Sequence, residues 1–127
     1  MNIKMTSTEI IKLLSSVRLP AQDEKETQKA IERIFFDNKW LFYREYRLDE
    51  KNTPDFLVAT SLLPIVKGIA IEVKIKGSAR KIYKQCERYC QFESVSELLL
   101  ITNRSMGFPK EINGKPCYFL NIGKAWL

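Results

Sequence analysis

The first forty residues carry hydrophobic positions at helical spacing in two separate stretches. The apolar stripe from Ile10 to Val17 follows Thr6 and Glu9, which have the spacing of a capping box, so we predict a helix over about 7–18. A second stripe predicts a helix over about 23–38. The stripe of the first helix is suited to burial in the core, with contact to a partner subunit as the alternative.

Between the second helix and residue 75 the hydrophobic positions alternate instead, which is typical of β-strands. Aromatic and β-branched residues are frequent there, and a polar turn and a segment containing Pro64 interrupt the alternation. The third of these strands is partly apolar on both faces, as expected of a central strand. The three predicted strands are Leu41–Leu48, Asp55–Ser61 and Gly68–Ile75.

The remainder of the chain predicts one helix and two further strands. Gly77 ends the third strand, and Ser78 is a good N-cap for the helix that follows. The order α-α-β-β-β-α-β-β predicts an α/β (α+β) fold, with a mixed sheet flanked by helices, in one domain with residues 1–20 as a helical extension. The predicted elements here are a helix over Ala79–Phe92, strands Glu97–Thr102 and Cys117–Asn121, a loop over Asn103–Pro116, and a tail from Ile122 in which Trp126 docks on the core.

Composition and charge fit one globular domain with an anionic partner. The chain has 127 residues, 45% of them hydrophobic. No apolar run is long enough to cross a bilayer and no signal peptide is recognisable, so we expect no membrane partner and a cytoplasmic location. The net charge of +6 and the pI near 9.3 favour a polyanionic partner such as nucleic acid or an anionic membrane surface.

The absence of histidine excludes several kinds of catalysis. Ser-His-Asp and Cys-His nucleophiles need an imidazole, and so do histidine-metal nucleases. The three cysteines do not compensate, because an odd count without framework spacing favours buried thiols over a disulfide scaffold or a zinc site. Any catalysis must therefore come from carboxylates, lysines, tyrosines or a hard cation bound by oxygen.

The second and third predicted strands bring three such groups together. Glu72 and Lys74 are two residues apart on one strand and therefore lie on the same face. Asp55 follows Pro54 at the start of the preceding strand, and it approaches Glu72 if the two strands pair antiparallel. A salt-bridged strand on a solvated face is the structural alternative for Glu72 and Lys74.

Two carboxylates at one place repel each other unless a cation lies between them. Oxygen ligands without histidine or thiolate point to Mg²⁺ or Mn²⁺. Such a metal would neutralise a scissile phosphate and bind the attacking water, and Lys74 would orient that water and stabilise the developing charge. The pattern therefore suits hydrolysis of a phosphodiester.

Pro54-Asp55, sixteen intervening residues and Glu72-Val73-Lys74 resemble the motif of the PD-(D/E)xK nuclease superfamily. Gln85 and Tyr89 on the following helix resemble the Gln-x-x-x-Tyr motif of an exonuclease-like branch. The resemblance covers about residues 24–103 and implies a restriction-endonuclease-like core, α-β-β-β-α-β. It implies a metal-dependent deoxyribonuclease of a small prokaryotic or phage type, acting on DNA.

The resemblance also implies roles for individual residues. Asp55 and Glu72 would be metal ligands with the Val73 carbonyl, and Lys74 would be the catalytic lysine. Gln85 and Tyr89 would lie close to the metal site or the DNA backbone.

The superfamily also has an acidic residue on the helix before the first strand. Glu24 is our first choice for this position because it shares the apolar stripe of the second helix with Thr27 and Ile31. Glu26 is the next choice. Charge complementarity with the N-terminus of the helix is an equal explanation for Glu24.

Basic residues follow the predicted catalytic strand. With Ser78 and the N-terminus of its helix, they are suited to contact phosphates. A solvated helix face is the alternative, and for Lys81 and Lys84 the better one. Stacking of Tyr43 and Tyr46 on bases is a weaker hypothesis than packing within the fold. The residues predicted to bind nucleic acid are Lys76, Ser78, Arg80, Arg88 and Tyr89.

Alternatives to a DNA nuclease remain open at this point. The first is a non-catalytic nucleic-acid-binding or assembly protein with the same fold, and a more distant one is a small RNA-processing enzyme. The chain leaves no room for a separate target-recognition domain, which argues against sequence-specific restriction. We favour cleavage that depends on the structure or context of the DNA, or cleavage within a larger complex. A homodimer is a further hypothesis, because the resemblance implies it: branch-resolving members of the superfamily act as dimers to cut two strands.

Overall fold

The structure is a computed structural model in which residues 5–123 are described, and three helices lie within that range. Each begins at a residue whose side-chain oxygen accepts a hydrogen bond from a backbone N–H of the first turn. Thr6 caps the first helix, Asp23 the second and Ser78 the third, so the predicted N-caps Thr6 and Ser78 are confirmed. The helices are α1 (Ser7–Ser15), α2 (Glu24–Asp37) and α3 (Ala79–Tyr89).

Six strands in the described range form one mixed sheet in the order β1-β2-β3-β4-β6-β5. The first three strands pair antiparallel, whereas β4 lies parallel to both β3 and β6, and β5 returns antiparallel to β6. The predicted mixed α+β architecture is therefore confirmed at this level. The strands are β1 (Phe42–Arg44), β2 (Phe56–Ser61), β3 (Lys67–Lys74), β4 (Val95–Thr102), β5 (Glu111–Ile112) and β6 (Lys115–Asn121).

Alternate residues of the central strands point to two hydrophobic clusters, one on each face of the sheet. Ile71 and Val73 pack with α1 and α2, and Leu57 and Ala70 pack with α3. The helix α1 belongs fully to the first cluster, because its Ile10 is completely buried. The apolar stripe predicted for this helix thus lies in the core.

The boundaries of several elements differ from the prediction. The first strand ends at Arg44 instead of Leu48, because Glu45 has a φ of 49° and leaves the extended conformation. The second strand begins at Phe56, one residue after Asp55. The first helix ends at Ser15. The third helix ends at Tyr89 instead of Phe92, and the strand after it starts two residues earlier than Glu97, at Val95.

The prediction of a loop over 103–116 was wrong in its second half. A tight hairpin joins β5 to β6, and Asn113 and Gly114 at its turn have φ values of 53° and 76°. Asn-Gly is the preferred sequence for such a turn because both residues tolerate positive φ. The predicted docking of Trp126 lies outside the described residues.

No helix in residues 5–123 is both long enough and apolar enough to cross a membrane.

Candidate functional site

The predicted catalytic residues lie at one end of the sheet, where β1 ends, β2 begins and β3 ends. The antiparallel register places Phe56 opposite Ile71, so the residue before Phe56, Asp55, lies beside Glu72. The helix α3 follows β3 after a short turn, and its N-terminus is at the same end of the sheet. Strand pairing therefore brings together residues that are seventeen positions apart.

Backbone hydrogen bonds tie Asp55 and Glu72 to each other's strands. The Val73 N–H donates to Asp55 Oδ2 at 2.8 Å, and the Asp55 N–H donates to Glu72 Oε1 at 3.3 Å. Burial raises the pKa of Asp55, while the Val73 N–H and the charge of Lys74 oppose that rise. The exchange of hydrogen bonds fixes both carboxylates at the same edge of the sheet.

Glu72 is the most deeply buried acid of the site, with 2% of its surface exposed. Its Oε1 also accepts a hydrogen bond from the Tyr89 hydroxyl at 3.1 Å, and its Oε2 lies 3.2 Å from Lys74 Nζ. Burial and the neighbouring Asp55 carboxylate raise the pKa of Glu72 to about 8, although Lys74 and Tyr89 favour its charged form. A second positive charge near this carboxylate would therefore be strongly favoured.

Lys74 lies on the same face of β3 as Glu72, and 27% of its side chain is exposed. Burial alone would lower the pKa of Lys74, but the Glu72 carboxylate outweighs it and the pKa is raised. The ammonium group is thus positively charged at neutral pH and is partly accessible to a ligand. It contributes a fixed charge and hydrogen-bond donors in this state.

The structure separates the two candidate acids of α2. Glu24 Oε1 accepts a hydrogen bond from the Ile75 N–H at 3.1 Å, so this side chain reaches the end of β3 from the α2 side. Glu26 is exposed and pairs with Lys29 on its own helix. Of the two, Glu24 is therefore the residue that lies at the site.

The two residues of the Gln-x-x-x-Tyr pattern have different surroundings. Tyr89 is fully buried, and its hydroxyl lies against Glu72 instead of the surface. Gln85 makes no hydrogen bond to the described acids and lies in a shallow depression along α3. Polar and basic residues line that depression: Ser78, Arg80, Lys81, Lys84, Gln85 and Arg88. Lys76 is exposed just before this helix.

Two residues of α3 also hold the segment that precedes Asp55. Arg88 Nε donates to the Asn52 side chain at 3.1 Å, and the Tyr89 hydroxyl is 3.2 Å from the Thr53 carbonyl. Asn52 is buried, and sequence analysis missed it because these contacts span 36 positions along the chain. Arg88 therefore has a positioning contact in addition to the phosphate contact predicted for it.

Sequence analysis also missed Arg44, the last residue of β1. Its guanidinium lies 4.8 Å from the centre of the Phe56 ring, and its Nη2 donates to Gln28 at 3.4 Å. A signal was present, since Arg44 occupies the same face of the alternating strand as Phe42, which packs on the core. Tyr43 and Tyr46 contact each other at 5.4 Å between ring centres.

The only hard cation that the residues of the site would suit is one that keeps part of its water shell. Within residues 5–123 there is no group of three or more acidic, cysteine or histidine side chains placed to bind one ion. Mg²⁺ is commonly held by only one or two carboxylates, with waters and substrate phosphates completing its coordination. Asp55 and Glu72, whose carboxylates lie at one edge of the sheet, are the two side chains that would supply such oxygen ligands.

Comparisons with protein families, with curated proteins and with solved structures yielded no match to this chain.

Proposed function

We propose that this protein is a metal-dependent nuclease that hydrolyses phosphodiester bonds in DNA, with a PD-(D/E)xK site on a restriction-endonuclease-like core. The observation that carries the proposal is the pairing of Asp55 with Glu72 across β2 and β3, with Lys74 Nζ 3.2 Å from Glu72. The succession from α2 through β1–β3 and α3 to the parallel β4 supports it, since the resemblance implies this order.

Asp55 and Glu72 would hold Mg²⁺ or Mn²⁺ together with the Val73 carbonyl. When bound there, the ion would supply Lewis-acid stabilisation of the phosphate and a more acidic water. Glu72 is held for this role by the Tyr89 hydroxyl, and Asp55 by the Val73 N–H. These contacts keep both carboxylates in place before any ligand arrives.

Lys74 would orient the attacking water and balance the negative charge that develops on the phosphate. Its Nζ is partly exposed, and its present partner, Glu72 Oε2, is a proposed metal ligand. Glu24 would act on the α2 side by holding the end of β3 through the Ile75 N–H. The basic residues of α3, with Gln85, would guide the DNA backbone along the depression next to the site.

Cleavage of supercoiled, linear and branched DNA tests the proposal directly, with Mg²⁺ or Mn²⁺ against EDTA. Asp55→Asn should lower the rate by about a hundredfold or more, because a metal ligand loses its charge. Glu93→Gln is the matched control, since Glu93 is an exposed acid between α3 and β4 that contacts Lys67 at the opposite end of β3, and it should cleave like the wild type. RNA substrates run in parallel show which nucleic acid is cut.

A binding measurement separates metal affinity from catalysis. Mg²⁺ at ten times its Kd should stabilise the wild type by about 1–2 kcal/mol and leave Asp55→Asn unchanged. EDTA should reverse the effect. A folded wild type that shows neither metal-dependent stabilisation nor cleavage of any substrate would contradict the nuclease proposal and leave a non-catalytic nucleic-acid-binding role.

A further inference from the structure

Arg44 is a partly buried cation whose hydrogen-bonding capacity is mostly unused. Its Nε and Nη1 are inaccessible to solvent and have no hydrogen-bond partner among the described residues. Buried donors without partners are costly, and in native proteins they are uncommon. Such a group at the edge of a proposed active site calls for a functional explanation.

The neighbours of Arg44 position its guanidinium without neutralising it. Phe56 lies under the group at 4.8 Å, and the Gln28 amide oxygen is 3.4 Å from Nη2. The nearest carboxylate, that of Glu45, is 3.6 Å away and 70% exposed. An ion pair of this kind is weak because solvent screens it and the acidic side chain is free to move.

The position of Arg44 relative to the carboxylates is defined by the sheet. Arg44 pairs with Phe56, the residue after Asp55, and its charge opposes the rise in the pKa of Asp55. Its side chain lies on the α2 face, whereas Lys74 and the basic residues of α3 lie on the other face. Positive groups therefore flank the two carboxylates on both sides of the sheet edge.

We infer that Arg44 binds a backbone phosphate of DNA on the α2 side of the carboxylates, opposite the surface formed by α3. This inference rests on the proposed nuclease function and adds a second phosphate position to it. The Arg44 side chain is 25% exposed, and because Nε and Nη1 are inaccessible to solvent, the phosphate is bound through Nη2, the atom that now lies beside Glu45. The phosphate displaces the weak contact with Glu45 and gives the charge of Arg44 a strong partner.

A purely structural role for Arg44, tying β1 to α2 through Gln28, makes a different prediction. Loss of a structural contact lowers the melting temperature and can lower activity, but it does not change how many phosphates the protein neutralises. The salt dependence of DNA binding counts those phosphates, because each one neutralised releases counterions from the duplex. Salt dependence therefore distinguishes the two roles.

The experiment measures binding of a fluorescent duplex without divalent metal over a range of NaCl concentrations. Arg44→Gln should reduce the slope of log K against log salt by about 0.9, which corresponds to about eightfold weaker binding at 0.1 M salt. Arg44→Lys should retain the wild-type slope because it keeps the charge. Arg33→Gln is the control, since Arg33 is an exposed arginine of α2 paired with Asp37, and it should match the wild type.

An unchanged slope in Arg44→Gln overturns the inference, whatever happens to its melting temperature. If that variant does not fold, the Nε–H signal of Arg44 in NMR spectra of the wild type replaces it. The signal should shift when duplex is added, and a constant signal overturns the inference. If the wild type cleaves DNA in a metal-dependent way but Arg44→Gln keeps the wild-type salt slope, the Arg44 role alone is refuted. If the wild type does not cleave DNA and does not bind it, both proposals are refuted.

Discussion

The two ends of β3 each carry a lysine close to a glutamate, but their surroundings are opposite. At one end Lys67 lies 3.6 Å from Glu93, with 38% of the lysine side chain and 75% of the glutamate side chain exposed. At the other end Lys74 lies 3.2 Å from Glu72, which is almost completely buried beside the Asp55 carboxylate. The first pair is an ordinary surface contact of little energetic consequence.

The Lys74–Glu72 pair destabilises the fold, because a buried carboxylate next to another carboxylate must either bind a proton or be neutralised by additional positive charge. Stability alone does not account for such an arrangement. The contrast teaches that a lysine close to a glutamate at the end of a strand indicates function only where burial and a second acid accompany the pair. The following predictions test that contrast at each end.

The largest expected effect is on activity. Lys74→Ala should reduce metal-dependent DNA cleavage by about 10²–10³-fold, because a positive group that stabilises the transition state is lost. Lys67→Ala, at the other end of the same strand, should cleave at nearly the wild-type rate. Equal rates for the two variants would remove the functional distinction between the ends of β3. Single-turnover kinetics with saturating DNA provides the measurement.

The next effect concerns the pH dependence of stability without metal. The fold raises the pKa of Glu72 from 4.5 to about 8, so the folded chain binds a proton more tightly than the unfolded chain. The free energy of unfolding should therefore fall by a few kcal/mol as pH rises from about 5 to 8. Urea denaturation across this interval measures it.

Glu72→Gln should flatten that dependence, because the side chain no longer titrates. Glu93→Gln should keep it, since Glu93 is 75% exposed. A wild type whose stability stays constant or rises between pH 5 and 8 would show that Glu72 is already ionised at low pH, and would contradict the contrast between the two ends.

The smallest effect concerns the hydroxyl that holds Glu72. Tyr89→Phe should destabilise the protein by about 1–2 kcal/mol, since its hydroxyl lies within hydrogen-bonding distance of Glu72 and the Thr53 carbonyl. Tyr83→Phe is the matched control on the same helix, because its hydroxyl meets Glu87 at 3.5 Å near the surface. Thermal denaturation should show a clearly larger fall in melting temperature for Tyr89→Phe than for Tyr83→Phe. Equal falls would show that the Tyr89 contacts contribute no net stability.

Local patterns in the sequence were sufficient to predict the secondary structure around the site. Alternation identified β2 and β3, and the approach of Asp55 to Glu72 was anticipated on the condition that these strands pair antiparallel, which they do. The helix caps at Thr6 and Ser78 were equally local and were confirmed. The approach of Tyr89 to the site was implied by resemblance to a family and not by the residues themselves.

Other features depended on contacts between distant residues. The contact between Arg88 and Asn52 joins α3 to the segment before β2, and no local pattern indicates it. The early end of β1 depends on the positive φ of Glu45, a conformation that a glutamate rarely adopts. The hairpin at Asn113 and Gly114 was different, since its turn sequence was visible but β5, with two residues, was too short to show alternation.

The burial of α1 has a practical consequence for anyone who shortens this chain. The family resemblance covers about residues 24–103, which suggests that the rest can be removed. Ile10 and Leu14 of α1 are completely or almost completely buried against the sheet, and Ser7 donates a hydrogen bond to Glu97 of β4 at 2.6 Å. Trimming to the recognisable motif would expose the apolar face that α1 covers and produce a chain prone to aggregation, so an expression tag belongs outside α1 and not in its place.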